Sequence, residues 1–443
     1  MKRCVILSLV ILSFASCKNN KSDYKKVFAD PLLYSATVHE LNQVVMGNNF
    51  PPIIASRNYL YASIAGYEAM AAGNPDKYYS LAGQVRGLAA VPPPPAGKPV
   101  NFEFASLLAF CKLGEAVTFP AGSMSYYVDS LKQMAKDHGM PEDEFNNSLA
   151  YVDSLSNAIM AWSKKDMYAE TRSYPKYNVK SEIDGRWVPT PPAYTEAMEP
   201  NWSVIRTLVM DSATQFVPPP PPAFNIKDTT SKYYHELMYI KTTGDSLSEE
   251  QQHIANFWDD NPFKLNVSGH VMFGTKKFSP PGHWMSIVGI AAEKANADFG
   301  TTVYAYAITA IAQFDSFIQC WDEKFRSNYA RPETVINKYI DPEWRPLLQT
   351  PPFPEYTCGH STVSAANAEA LTHVFGDNFA YTDSSELEFG IKNRSYPSFR
   401  QAALENNWAR FYGGIHFHNS CIVANEYGKK VGDLVVEKLK FKK

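Results

Sequence analysis

Apolar residues recur every three or four positions along most of this chain, and that period specifies helices. It runs through Ala55–Ala72, Phe102–Val117, Ser123–His138 and Glu142–Lys165. It returns over Lys232–Thr243, Ser248–Trp258, Trp284–Ala297 and Thr301–Trp321. Ser361–Val374, Ser398–Tyr412 and Cys421–Leu439 complete the set. Alternating runs bounded by turn residues, the mark of strands, are scarce. The expected fold class is therefore all-α, with long connections. At 443 residues and 45% hydrophobic, the chain has enough apolar side chain for a sizeable core.

Proline lacks a backbone N–H and fixes φ, so Pro92–Pro95 and Pro218–Pro222 read as stiff exposed connections. The stretch from Tyr168 to Pro222 is rich in proline and tryptophan and poor in periodicity; it is expected to cross the surface as a long ordered loop, roofing a site. At the other end, Lys2 and Arg3 precede an apolar run, Val5 to Ala15, too short to stay in a bilayer as a span. Phe14-Ala15-Ser16-Cys17 then resembles the processing site of bacterial lipoproteins, which implies a lipid on Cys17. The implied location is the bacterial cell envelope, lipid-anchored and facing the periplasm or the exterior. The expected organisation is 1–17 signal, 18–30 tether, 31–222 N-terminal helical region with proline-rich loops, and 223–443 C-terminal helical bundle carrying the chemistry. Cys111, Cys320, Cys358 and Cys421 are too scattered for a disulfide framework, and no CxxC pair offers a thiolate metal site. A net charge of -3 without a long basic stretch excludes a nucleic-acid binder.

Three segments carry candidate chemistry. In the first, Lys324 and Arg331 stand two helical turns apart, and Pro332 suits the first position of a new helix. In the second, Pro351-Pro-Phe353-Pro-Glu-Tyr356-Thr357-Cys358-Gly359-His360-Ser361 is a proline-rich loop feeding a helix start, where free N–H groups and the helix dipole attract anions. His360 sits in that first turn, able to exchange a proton near neutral pH. In the third, Arg410 supplies a planar fork for two oxygens, and His416 follows a double glycine.

Together, Lys324-x6-Arg331-Pro332, Gly359-His360 and Arg410-x5-His416 resemble the signature of the vanadium haloperoxidase and type 2 phosphatidic acid phosphatase superfamily, over about 100 residues. Trp321 and the Pro351-Pro-Phe353-Pro run resemble the halide side of the haloperoxidases; Phe257-Trp-Asp259-Asp260-Asn-Pro resembles their stretch holding an acidic partner of the acid–base histidine. The resemblance implies a large helical-bundle fold, built as two bundles. It implies that Lys324, Arg331, Arg410, Cys358 and Gly359 bind the oxyanion. His416 would be the axial ligand to vanadium or the nucleophile on phosphorus, and His360 the acid–base group, backed by Asp260. The implied cofactor is vanadate, or none in a phosphatase, with peroxide and halide or a phosphate ester as small-molecule substrates.

Two segments depart from that pattern, at three positions. Cys358 and Thr357 stand where serine and proline are expected, and a thiol donates more weakly than a hydroxyl. Ser420 replaces the acidic residue expected four positions after His416, leaving Asn419 or Ser420 to hold that ring by a neutral hydrogen bond. A peroxide-driven halide oxidase is the first expectation; an acid phosphatase working through a phosphohistidine, and a non-catalytic anion-binding lipoprotein, are the alternatives. His270 and His283, near the Asp260 segment, are candidates for lining the same cleft, and His418 reads as structural.

Overall fold

The computed structural model describes residues 23–262, 264–268, 271–275 and 277–443. The signal segment 1–17, Cys17 and His270 lie outside the described residues. The helices are α1 (Tyr24–Phe28), α2 (Pro31–Gly47), α3 (Pro52–Gly73), α4 (Phe102–Ala116), α5 (Ser125–Asp137), α6 (Glu142–Ser163) and α7 (Tyr168–Thr171). They continue as α8 (Lys232–Gly244), α9 (Glu249–Phe257), α10 (Pro280–Lys294), α11 (Phe299–Ser327), α12 (Pro332–Tyr339), α13 (Gly359–Phe375), α14 (Phe399–Tyr412) and α15 (His418–Lys438). Among the described residues no helix is long and apolar enough to cross a membrane.

Several features differ from the sequence expectation, the 17-residue α2 among them, which lies outside the predicted set of helices. Two antiparallel hairpins occur, β1 (Lys264–Ser268) with β2 (Val271–Thr275) and β3 (Tyr381–Asp383) with β4 (Arg394–Tyr396). Strands this short hold too few residues to establish a two-residue alternation. The stretch read as a tether is also helical from Tyr24. Asp23 caps α1 by accepting the Lys25 N–H at 3.0 Å, and Phe28 is buried against the Phe104 ring, centroids 4.9 Å apart. One ring on the inner face docks a segment that is otherwise polar.

α3 is buried on every side from Ile53 to Ala71, so it lies at the centre rather than on a face. α11 packs on it and runs on to the site. Its 29 residues span about 44 Å. Asp298 starts α11 by accepting the Thr301 N–H at 2.7 Å, and Asn328, left-handed at φ 57°, ends it. α13 lies against both α11 and α15. Gly428 makes the second contact possible, because a Cβ there would stand 2.0 Å from the Thr362 carbonyl oxygen; Gly432 does the same one turn on, at 2.7 Å from that of Ala366. A single hydrophobic core contains Phe28, Ile64, Phe110, Ile311, Leu371, Val431 and Phe441, so both halves of the chain build it.

The stretch 168–222 carries α7 and one 3-10 turn, Trp202–Val204, and is otherwise irregular. It is tied down along its length. The buried Asp315 carboxylate on α11 accepts the N–H groups of Leu208, Val209 and Met210 at 2.8, 2.8 and 3.0 Å. The Trp187 N–H donates to the Asn328 carbonyl at 3.0 Å and the Met198 N–H to that of Pro352 at 2.9 Å. Prolines can only accept, and two tyrosines supply the donors: Tyr356 to the Pro219 carbonyl at 2.5 Å and Tyr329 to that of Pro222 at 2.6 Å.

Candidate active site

The C-terminal end of α11, the 351–357 loop, the start of α13 and the α14–α15 turn converge on one buried cup. Lys324 is fully buried on the last turns of α11. Its ammonium donates to the carbonyls of Pro354 at 2.9 Å and Glu355 at 3.0 Å, and to that of Thr357. An ammonium has three donors, so all are used on the loop. Lys324 thus gives the cup charge and holds its rim, and burial pushes its pKa down to about 8.

The two arginines keep donors in hand. Arg331, the N-cap of α12, donates from Nε to the Phe353 carbonyl at 2.9 Å and from Nη1 to the Ile415 carbonyl at 2.8 Å. Burial lowers its pKa to about 10. Arg410, in the last turn of α14, donates from Nη1 to the carbonyls of Trp258 and Asp259 at 2.8 and 3.1 Å. Arg331 Nη2 and Arg410 Nε are buried without a partner among the described residues. A buried guanidinium N–H without an acceptor is costly, so these two atoms and the N–H groups at the start of α13 define what the cup takes: an oxyanion. Cys358 is the N-cap of α13. A Cβ on Gly359 would touch the Trp321 ring at 3.4 Å, so this helix start is seated on Trp321.

His416 is 1% exposed, with both ring nitrogens engaged. Nδ1 faces Glu355 Oε1 at 2.8 Å, and Nε2 faces Arg331 Nη1 at 3.1 Å. A carboxylate only accepts and a guanidinium only donates, so the network assigns the proton to Nδ1 and the lone pair to Nε2. That tautomer suits a metal ligand or a nucleophile. The partner expected among Asn419 and Ser420 is instead the buried carboxylate of Glu355, which also accepts the Phe417 N–H at 3.0 Å; the Ser420 hydroxyl has no partner among the described residues.

His360, with 13% of its side chain exposed, stands across the cup. Its Nε2 lies 4.0 Å from Asp260 Oδ2 and has no hydrogen-bond partner among the described residues. Burial first, then the Arg410 charge, pulls its pKa well below the usual histidine range, so the ring is neutral and free to accept a proton. Asp260, left-handed at φ 42°, points its other oxygen at His283 Nδ1, 2.9 Å away. His283 Nε2 in turn meets Asp383 Oδ2 at 2.9 Å. Burial alone would lower the His283 pKa, but Asp260 and Asp383 together raise it well above the usual range, making the ring a buried cation. Trp258 stacks on it, centroids 4.6 Å apart and planes 23° apart. Glu386 and Lys277 close the network, 3.5 Å apart. Asp260, His283 and Glu386 have the spacing to hold a metal ion, but both ring nitrogens of His283 already face carboxylates, Asp260 and Asp383, at 2.9 Å.

On the open side, Trp321 and Phe353 meet with ring centroids 4.9 Å apart, and the Arg331 guanidinium lies 4.9 Å from the Phe353 ring. The Trp321 N–H donates to the Met198 carbonyl at 3.1 Å, so the 168–222 stretch does cover this side of the cup. His418 lies outside, stacked on Trp408 with centroids 4.2 Å apart. Lys324, Arg331, Cys358, Gly359, His360, Arg410, His416, Asp260, Trp321 and Phe353 therefore converge, whereas Glu355 and the cationic role of His283 escape sequence reasoning. Glu355 left one signal: a carboxylate inside a run of prolines and aromatics must be paired if it is buried.

The family model for the VCPO second helical-bundle domain matches residues 304–442. No curated protein matches the sequence. The crystal structure of a bacterial vanadium-dependent iodoperoxidase is 44% identical to this chain, with a TM-score of 0.86 over 92% of this chain and 96% of that one. Apo- and holo-type bacterial vanadium-dependent chloroperoxidases share the fold at 18% and 16% identity, with TM-scores of 0.64 and 0.63. They cover 88% and 94% of this chain and are themselves covered over 94% and 97%. Identity of 44% over nearly the full length of both chains, on a cup built for an oxyanion around a histidine lone pair, makes this chain a member of the vanadium-dependent haloperoxidases.

Proposed function

We propose that this chain oxidises iodide with hydrogen peroxide at a vanadate held by His416. The observation that carries the reading is the His416 tautomer: Nδ1–H on Glu355 and the Nε2 lone pair at Arg331 Nη1, on the same guanidinium whose Nη2 is left without a partner among the described residues. The residues fit the ion. Arg331 Nη2, Arg410 Nε and the first N–H groups of α13 would take its oxygens, and Lys324 balances their charge from beneath. The chemistry supplied by bound vanadate is Lewis-acid activation of peroxide toward halide. His360, neutral and unpaired at Nε2, would hold and return a proton beside the bound ion. Asp260 steadies the imidazolium so formed. Trp321 and Phe353 keep one wall apolar, which favours a large, weakly hydrated halide. Iodide as the halide follows the 44% identical relative, an iodoperoxidase.

The test is peroxide-dependent oxidation of iodide by protein whose vanadate occupancy has been confirmed, with bromide and chloride in parallel. A loaded protein that oxidises none of them would sink the proposal. A second reading, phosphomonoester hydrolysis through phospho-His416, draws support from the same Glu355 contact, which fixes the tautomer that leaves Nε2 as the nucleophile. Hydrolysis by vanadate-free protein that disappears in His416→Ala would establish it.

We also infer a lipid anchor on Cys17, supported by Lys2, Arg3 and the apolar run before it. Incorporation of labelled fatty acid, lost in Cys17→Ser, is the expected result; equal labelling of both would exclude it.

A further inference from the structure

We propose that Cys358 and Cys421 are a peroxide-driven, reversible disulfide pair that closes the oxyanion cup. Among the described residues four cysteines are free and buried: Cys111, Cys320, Cys358 and Cys421. Cys320 interacts with Thr357, its sulfur 3.6 Å from that carbonyl oxygen. Cys358 and Cys421 instead pack together in a small buried cluster with Ala424. Their closeness is built into the backbone. Cys358 is the N-cap of α13, and Cys421 lies in the first turn of α15. Gly428 and Gly432 then hold those two helices in direct backbone contact further along. Two sulfurs fixed near each other by rigid helices need only a short approach to reach disulfide length, about 2.05 Å.

Cys358 is also the residue that opens α13, and the start of that helix forms part of the cup, where the enzyme's own co-substrate arrives. The chemistry balances with that reagent alone. The Cys358 sulfur attacks one oxygen of hydrogen peroxide; the O–O bond breaks, an S–O bond forms, and the second oxygen leaves as water. Cys358 is now a sulfenic acid, oxidised by two electrons, and peroxide is reduced. The Cys421 sulfur then attacks Cys358; the S–S bond forms, the S–O bond breaks, and hydroxide leaves with the Cys421 proton as water. Two thiols and one peroxide give one disulfide and two waters. The product removes a thiol donor from the start of α13 and draws Cys358 toward α15, so the cup loses affinity for its oxyanion. It also spares Cys358 from irreversible over-oxidation, the hazard a thiol meets beside peroxide.

The experiment uses the reduced, vanadate-free full chain treated with hydrogen peroxide, after which remaining thiols are alkylated and peptides analysed by mass. The expected product is a Cys358–Cys421 linked peptide pair, lighter by two hydrogens, with Cys111 and Cys320 alkylated and the link removed by dithiothreitol. Recovery of Cys358 as sulfinic or sulfonic acid with Cys421 alkylated would overturn the proposal, as would two intact thiols. In Cys421→Ser, Cys358 is expected to reach a dithiothreitol-resistant acid, and fully reversible oxidation there would also overturn it. Vanadate binding by oxidised wild type is expected to weaken and to recover on reduction; equal affinity in both forms would exclude closure of the cup. The mass readout does not depend on turnover, so it fails or succeeds separately from the haloperoxidase reading.

Discussion

Glu355 Oε1 lies 2.8 Å from Nδ1 of His416 and also takes the Phe417 N–H at 3.0 Å, so one buried carboxylate fixes both the ring and the backbone that carries it. Glu355→Gln keeps the shape and an acceptor but removes the charge. Vanadate affinity should fall by about 10–100-fold while the fold persists. Equilibrium dialysis checks this; unchanged affinity would mean that another group holds the ring.

His283 lies between Asp260 and Asp383, 2.9 Å from each. Its folded pKa is raised, so its stabilising contribution is complete below the unfolded value, about 6.5, and is lost as pH rises through the folded one. His283→Gln leaves buried carboxylates without their cation and should cost roughly 3–5 kcal/mol at pH 6. Urea unfolding followed from pH 6 upward should show a decline in wild type that the variant lacks. Parallel pH profiles for the two proteins would refute it.

Lys324 is a strut as well as a charge. Lys324→Met would orphan the buried carbonyls of Pro354, Glu355 and Thr357. With about 1–3 kcal/mol for each buried acceptor left unmade, a loss of several kcal/mol is expected. Differential scanning calorimetry would read it as a lower Tm even without vanadate. A Tm equal to wild type would show that the loop holds itself.

Gly428→Ala places a methyl 2.0 Å from the Thr362 carbonyl oxygen, which is backbone and cannot swing aside. α15 must move off α13, at a cost of about 1–3 kcal/mol or more. Denaturant unfolding measures the cost, and vanadate binding should weaken as well, because the cup straddles both helix starts. A neutral substitution would mean that the helices are less closely packed than described.

What the sequence made legible follows from where the physics is local. Helices such as α5 and α6 announce themselves by period, and Gly359-His360 before Ser361 marks a helix start. The cations and histidines of the cup were readable because three short motifs each keep a fixed spacing. Glu355 and His283 were not, because their meaning lies in partners 61 and 100 positions away, which no spacing rule links. The same holds for Lys324, whose charge was foreseen but whose donors go to backbone carbonyls that carry no residue signature. β3 and β4 are set by a three-residue register that no alternation could display.

α11 is sheathed by α3 from one half of the chain and by α13 and α15 from the other. Residues 304–442, the part that the helical-bundle family model matches, therefore include a rod whose opposite flank would be stripped if that segment were expressed alone. The matched segment and the unit of folding therefore differ: the latter includes the helices that precede residue 304.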